Sequence, residues 1–208
     1  MVPSTFGLKD GLQNILNKKD NLAESIKNFV DNHLNAGEID VNIMTKVDKD
    51  NFVKNVQLPT IYNDAHASLR GFANSKLSSS VIFSAGMNPR LYSYLEEFED
   101  FFPNENGELK KKIILKVSDF RSAMIQGNFL AKKGLWVSEY RIESGLNCGG
   151  HAFATDGLLM GPIMEEFKQK KNELQTSAFT LWKSALELKG KMTTSKPLEI
   201  KISVQGGV

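Results

Sequence analysis

Apolar residues in this chain follow two alternating spacings. Four short apolar runs, each bounded by turn-forming residues, predict β-strands over residues 80–85, 112–117, 136–142 and 198–204. In the intervals between them, apolar residues three and four positions apart predict helices over residues 91–102, 121–133 and 161–189. Strands that alternate with helices form a parallel sheet, because each helix carries the chain back to the start of the next strand.

The N-terminal part of the chain follows a less regular pattern. A helical spacing runs from residue 8 to 35, with a helix-start signal near its middle that predicts two helices. Residues 39–44 alternate as a strand does, and residues 45–63 are polar and irregular. We therefore expect an N-terminal helical and irregular segment with one strand, residues 1–63, and a part built of βα repeats, residues 64–208.

These repeats predict part of a TIM barrel. A complete barrel needs about 250 residues, whereas this chain has 208, with four clear strands. The last predicted strand leads into Gly206 and Gly207, and the sequence stops one residue later. We expect an α/β fold of parallel βα units that forms an incomplete, half TIM barrel truncated at its C-terminus, with a self-sufficient open sheet as the alternative. The helix over 161–189 is long for a barrel, so we expect a break near residues 175–177.

Composition and charge narrow the class of protein. Hydrophobic residues make up 41% and charged residues 24%, as in ordinary globular proteins. The net charge is only +2, so we expect neither a nucleic-acid nor a membrane partner. A single cysteine excludes a disulfide scaffold, and three widely spaced histidines predict no metal site. No segment resembles a signal peptide or a membrane span, which favours a cytoplasmic protein. We expect His33, His66 and the lysine run 110–112 to face solvent.

Polar residues are concentrated after each predicted strand. They are Ser84, Asn88 and Arg90 after the first strand, Lys116, Ser118, Asp119 and Arg121 at the second, Glu143, Asn147, Cys148 and His151 after the third, and Gln205 after the fourth. Because the carboxyl ends of parallel strands meet at one edge, we expect a site there, with Ser84, Asn88 and Asn147 contacting a small-molecule substrate. The alternative is that loops are polar simply because they meet water.

The segment 143–153 has the most specific pattern. Gly149 and Gly150 directly precede His151, so their backbone amides are able to approach a phosphate beside an imidazole that suits proton abstraction. A tight turn with an incidental histidine is the alternative. Lys116, at a strand end, is a candidate to stabilise negative charge on a bound ligand, against the alternative of an ordinary exposed lysine.

Residues 110–157 and 198–208 resemble nitronate monooxygenases, which are FMN-dependent TIM-barrel oxidoreductases akin to the FMN barrel of glutamate synthases. The family loop reads Gln-Gly-x-Glu-Ala-Gly-Gly-His. This chain has Ser144-Gly-Leu-Asn-Cys-Gly-Gly-His151 there and differs at Ser144, Asn147 and Cys148. The resemblance implies that His151 is the base that removes a proton from the substrate carbon. It also implies an FMN phosphate beside two glycine pairs and the residue preceding the second pair, which are Gly149, Gly150, Gln205, Gly206 and Gly207.

Two other classes of function stay open. Cys148 and His151 form a candidate nucleophile and base for a thiol enzyme, although one sequence identifies no third residue to orient them. The same edge of the sheet would also suit a non-catalytic module that binds a phosphorylated ligand or a protein. The sequence also leaves open whether the chain forms a homo-oligomer.

Overall fold

The computed structural model describes residues 8–17, 21–33, 39–43, 48–84, 86–143 and 160–205. The chain forms two compact units, Met1–Glu38 and Ile39–Val208. In the first unit, helix α1 (Leu8–Leu16) contacts helix α2 (Leu22–His33), and the ring of Phe29 lies against Gly11. The long helical spacing is therefore divided into two helices, as the sequence predicts.

The second unit is built on five parallel strands. They are β1 (Val41–Ile43), β4 (Ser80–Phe83), β5 (Lys112–Val117), β6 (Val137–Glu143) and β7 (Lys201–Gln205), while β2 (Phe52–Val53) and β3 (Val56–Gln57) form a separate antiparallel hairpin. The helices are α3 (Asp64–Ala73), α4 (Pro89–Tyr94), α5 (Phe120–Ala131) and α6 (Met160–Leu188), with 3-10 turns at Thr60–Tyr62, Leu95–Glu97 and Glu99–Phe101. The α/β class and the parallel sheet agree with the sequence prediction.

The strands lie side by side in the order in which the chain makes them. The order is β1-β4-β5-β6-β7, every neighbouring pair is parallel, and the direction never reverses. Right-handed crossovers in a single direction place all connecting helices on one side of a sheet. One buried cluster accordingly joins alternate strand residues, such as Val81, Leu115 and Ile142, to Leu91 of α4 and Leu174 of α6. We call this side of the sheet the helix face.

Two of the predicted helices differ from the structure. Helix α6 runs unbroken for 29 residues, so the expected break near 175–177 is wrong. Gln175 Nε2 donates to the Leu198 carbonyl at 2.8 Å and Ser177 Oγ to Asn128 Oδ1 at 3.2 Å, so both polar residues find partners without interrupting the helix. The helix predicted over 91–102 ends at Tyr94 and continues as two 3-10 turns.

Gly127 lets helix α5 pass close to strand β6. A Cβ atom at this position would lie 2.0 Å from Tyr140 Oη and 3.1 Å from its Cζ. Tyr140 is fully buried, and its hydroxyl has no hydrogen-bond partner among the described residues. The absence of a side chain at Gly127 is what gives the buried phenol its room.

We expect Gly127→Ala to destabilise the chain by about 1–3 kcal/mol, because the added methyl overlaps the phenol oxygen. Tyr140→Phe removes an unpaired buried hydroxyl and should stabilise by up to about 1 kcal/mol. Gly127→Ala should destabilise the chain much less when it is combined with Tyr140→Phe, because the hydroxyl oxygen that overlaps the added methyl is then absent. Urea unfolding measures all three free energies. Gly161→Ala is the matched control, since a Cβ there meets nothing within 4 Å; equal losses at both glycines would rule out the clash.

Two buried tyrosines predict a loss of stability in alkali. Burial raises the pKa of Tyr92 and of Tyr140 well above the ordinary 10.0. Their contribution is complete below that value and falls above it, because the unfolded chain then releases protons that the folded chain retains. We expect the unfolding free energy to drop by about 1.4 kcal/mol per pH unit for each tyrosine. Urea unfolding between pH 8 and about 11 measures this slope, and a Tyr92→Phe, Tyr140→Phe double variant with the same slope would contradict it.

Candidate functional site

The side of the sheet that points away from the helices carries charged residues. Side chains alternate across a strand, so Ile113, Leu115 and Val117 point to the helix face while Ile114 and Lys116 point to the other side. The register between β5 and β6 shifts at a bulge between Ile113 and Ile114, so that Ile114 lies beside Glu139 and Lys116 beside Arg141. Glu139 and Arg141 therefore point to the same side of the sheet as Lys116. We call the resulting set the polar face; its members are Lys116, Glu139, Arg141, Glu143 and Ser203.

Lys116 and Glu143 form a buried ion pair near the carboxyl ends of two central strands. Lys116 Nζ lies 3.5 Å from Glu143 Oε1, and the two residues are only 1% and 6% exposed. The alternative that Lys116 is an ordinary exposed lysine is therefore wrong. Burial weakens the screening of charges by water, so each member of this pair depends strongly on the other.

A second group of charges continues the polar face towards the edge strand. Arg141 Nη2 and Nε lie 2.7 and 2.8 Å from Glu139 Oε1, and Ser203 Oγ of β7 donates to the same oxygen at 2.5 Å. Positive and negative side chains thus alternate, and the polar face carries no net charge. Its residues come from three adjacent strands, whose register brings them together.

The structure places the predicted substrate residues in different settings. Ser84 directly follows β4 and is 5% exposed. Asn88 is the N-cap of α4, where its Oδ1 accepts the Leu91 N–H at 3.1 Å, which leaves its amide N–H groups as donors for a substrate. Gln205 is the last residue of β7, lies exposed and is in register with Glu143. Asn147, Cys148, Gly149, Gly150, His151, Gly206 and Gly207 lie outside the described residues.

A cavity of about 470 Å³ opens at the carboxyl ends of β4 and β5. Its lining includes Met87, Asp119 and Arg121. Asp119 caps helix α5: its Oδ1 accepts the Ser122 N–H at 2.7 Å, and its Oδ2 accepts the Ser118 hydroxyl at 2.7 Å. A carboxylate therefore already occupies the positive end of this helix, which makes the cavity a poor place for a phosphate.

Two basic residues that we expected to face solvent are buried. His66 is 3% exposed and its Nδ1 contacts Asp48 Oδ2, so the prediction of a solvent-facing histidine is wrong. The signal was present, because His66 lies three and seven positions before Leu69 and Ala73 on the apolar stripe of α3. Lys111, from the expected solvated run, is fully buried and its Nζ donates to the Ser75 carbonyl at 2.9 Å. The side chain of His33 is not among those described.

The described residues fit neither a metal centre nor a membrane helix. Across the described ranges, no group of three His, Cys, Asp or Glu side chains is placed to hold a metal ion. Within the same ranges, no helix combines the length and the apolar composition that crossing a bilayer requires.

We expect Lys116→Met to destabilise the chain by about 3 kcal/mol, because it removes the cation that lies 3.5 Å from the buried Glu143 carboxylate. Lys116→Met combined with Glu143→Leu should be less destabilised than the sum of the single variants, by at least about 1 kcal/mol. Urea unfolding of the wild type, Lys116→Met, Glu143→Leu and the double variant measures this coupling free energy. Lys110→Met is the control, since Lys110 and Asp100 form a more exposed pair at 2.6 Å and should matter by under about 1 kcal/mol. Additive losses at Lys116 and Glu143 would show that the two charges are independent.

Comparisons with known protein families, with curated proteins and with solved structures gave no match to this chain.

Proposed function

We propose that this chain is part of a TIM-barrel oxidoreductase that uses FMN, with its site at the carboxyl edge of the polar face. The observation that carries the proposal is the winding of the sheet: five parallel strands in chain order, helices α3 to α6 on one face, and buried charges on the other. The proposal also rests on the sequence resemblance of the segment after β6 to nitronate monooxygenases.

The winding favours a barrel over a doubly wound sheet. In a doubly wound fold the strand order reverses at a switch point, and helices cover both faces. In a barrel the order runs in one direction, the helices form an outer layer, and the opposite face lines the interior. The described strands run in one order and bury their apolar side chains against helices on one face, which supports the second arrangement. Buried charges on the inner side are then expected at the carboxyl end, where barrel enzymes bind their ligands.

Lys116 is the described residue that we propose for the contact with an anionic cofactor. The Lys116 ammonium is withdrawn from water, so its attraction for a nearby negative charge is stronger than that of a surface lysine. Glu143 holds this ammonium in place from the end of β6, the strand that leads into the segment with His151. FMN, when bound, would supply two-electron redox chemistry. Lys116 would stabilise negative charge on the ring, and Gly149, Gly150, Gly206 and Gly207, with Gln205, would surround its phosphate.

His151 is the base in this proposal. Its imidazole would take a proton from the substrate carbon, and the acid–base range of histidine near neutrality suits that step. Ser84 and Asn147 would orient the substrate by hydrogen bonds, with the amide nitrogen of Asn88 as a further donor. Cys148 lies three residues before His151, so the thiol-enzyme alternative places its chemistry in the same segment. The two hypotheses differ in that only the oxidoreductase needs FMN.

Binding of FMN to the purified chain tests the proposal. We expect quenching of flavin fluorescence with a dissociation constant in the micromolar range, about −8 kcal/mol. Lys116→Met should weaken binding of reduced FMN at least about tenfold more than binding of oxidised FMN, because only the reduced ring gains negative charge. Lys112→Met, at the amino end of the same strand, is the control and should bind both forms as the wild type does.

Turnover of an alkyl nitronate separates the roles of the loop residues. His151→Asn should abolish turnover and retain FMN, whereas Cys148→Ser should retain both. A chain that binds no FMN, or one in which Cys148→Ser abolishes activity while FMN is irrelevant, would overturn the flavin proposal in favour of a binding module or a thiol enzyme respectively.

A further inference from the structure

A groove in the helical layer holds a second set of polar side chains. It has a volume of about 510 Å³ and lies where the first turn of α3 meets α4 and the 3-10 turn that follows it. Its lining includes Ile61, His66, Arg90, Ser93, Tyr94 and Glu97. Because α3 and α4 pack on the helix face, this groove is separate from the polar face.

His66 is held in this groove by a carboxylate. Asp48 Oδ2 contacts the Nδ1 of the ring, and Asp48 Oδ1 accepts the Ala65 N–H at 3.1 Å. Both side chains are nine-tenths or more buried. The centre of the Tyr94 ring lies 5.1 Å from the centre of the imidazole, so the two rings pack against each other. The orientation of His66 is thus fixed by a charge on one side and an aromatic ring on the other.

The hydrogen bond to Asp48 determines which ring nitrogen of His66 donates and which one is able to accept a hydrogen bond. A carboxylate accepts, so Nδ1 carries a proton, and in the neutral form of the ring Nε2 is then an acceptor. Among the described residues, the hydrogen bond of the ring is made through Nδ1 only. Nε2 is therefore the atom left to accept a proton-bearing group of a molecule in the groove.

The other polar groups of the groove restrict the ligand. Arg90, in the first turn of α4, is exposed and offers a fork of donors that suits a carboxylate. Glu97 lies at the far end of the same helical stretch and would repel a second acidic group. Ser93 Oγ donates to the Pro89 carbonyl at 2.8 Å, so this hydroxyl is not directed at His66 as a nucleophile. The groove is thus suited to binding rather than to acyl transfer.

We propose that this groove binds a small hydroxycarboxylate, with its carboxylate on Arg90 and its hydroxyl donating to His66 Nε2. The hydroxyl satisfies the acceptor that Asp48 creates, and the carboxylate neutralises the exposed guanidinium. Ile61 and Tyr94 provide an apolar wall for the carbon skeleton. A ligand with one acidic group is favoured, because Glu97 opposes a second.

Titration of the full chain at neutral pH with glycolate, acetate and inorganic phosphate tests the proposal. The readout is the ring-nitrogen NMR signal of His66, assigned through a His66→Gln variant. We expect saturable shifts with glycolate, and binding at least about fivefold weaker for acetate, which lacks the hydroxyl. No saturable shift with glycolate, or equal affinity for acetate or phosphate, would overturn the proposal.

Two variants at the rim of the groove test the roles of the charges without touching the buried pair. Arg90→Ala should weaken glycolate binding at least about tenfold, because a charge-assisted hydrogen bond is lost. Glu97→Gln should strengthen it about twofold to fivefold by removing repulsion, an effect that damage to the fold would not produce. Arg121→Ala, an exposed arginine at the other cavity, is the matched control and should leave affinity unchanged. Unchanged affinity in Arg90→Ala would remove the carboxylate from its assigned position.

Discussion

The unidirectional winding of the sheet is the constraint on which the rest of this structure depends. Because the strands never reverse order, crossovers of the usual right hand leave the helices of this unit only one face to cover. That face receives the apolar half of each strand and the large aromatic contacts, such as Trp136 with Trp182 at 5.3 Å. The opposite half of each strand is free to carry charge. The division of the sheet into a helix face and a polar face is therefore a consequence of its topology, and the ion pairs lie on the polar face because of it.

Charge on the polar face is tolerated because it is paired, across strands for Lys116 with Glu143 and within β6 for Arg141 with Glu139. Lys116 and Glu143 are 27 positions apart, and Ser203 joins Glu139 from 64 positions away. An isolated ammonium at this depth would be costly to desolvate, whereas an alternating set of charges offsets much of that cost. The groove in the helical layer uses the same principle on a smaller scale, since Asp48 makes it favourable to keep His66 out of water. The buried pairs Lys116–Glu143 and His66–Asp48 thus each join residues that are distant in sequence.

The strands and their parallel arrangement were predictable because local patterns determine them. The run Ile113–Leu115 is apolar and bounded by lysines, and its strand is where the spacing predicts it. The hairpin of β2 and β3 was missed because Phe52, Val53 and Val56 are exposed and its turn uses Lys54 and Asn55 with positive φ instead of glycine. The position of Lys116 at a strand end was predictable, but its burial was not. That burial depends on the register of β5 against β6, including a bulge that no local pattern reveals.

The long connection through α6 has a consequence for the order of assembly. Strand β7 reaches its place only after the chain has travelled along α6 and back, and the return is held at Gln175, near the middle of that helix, and at Trp136, just before β6. Closing so long a loop costs entropy before its contacts repay the cost. The four strands before it are joined by shorter connections and are able to pair first. We therefore expect β7 to join the sheet after the other four strands, together with Ser203, which completes the Glu139 cluster.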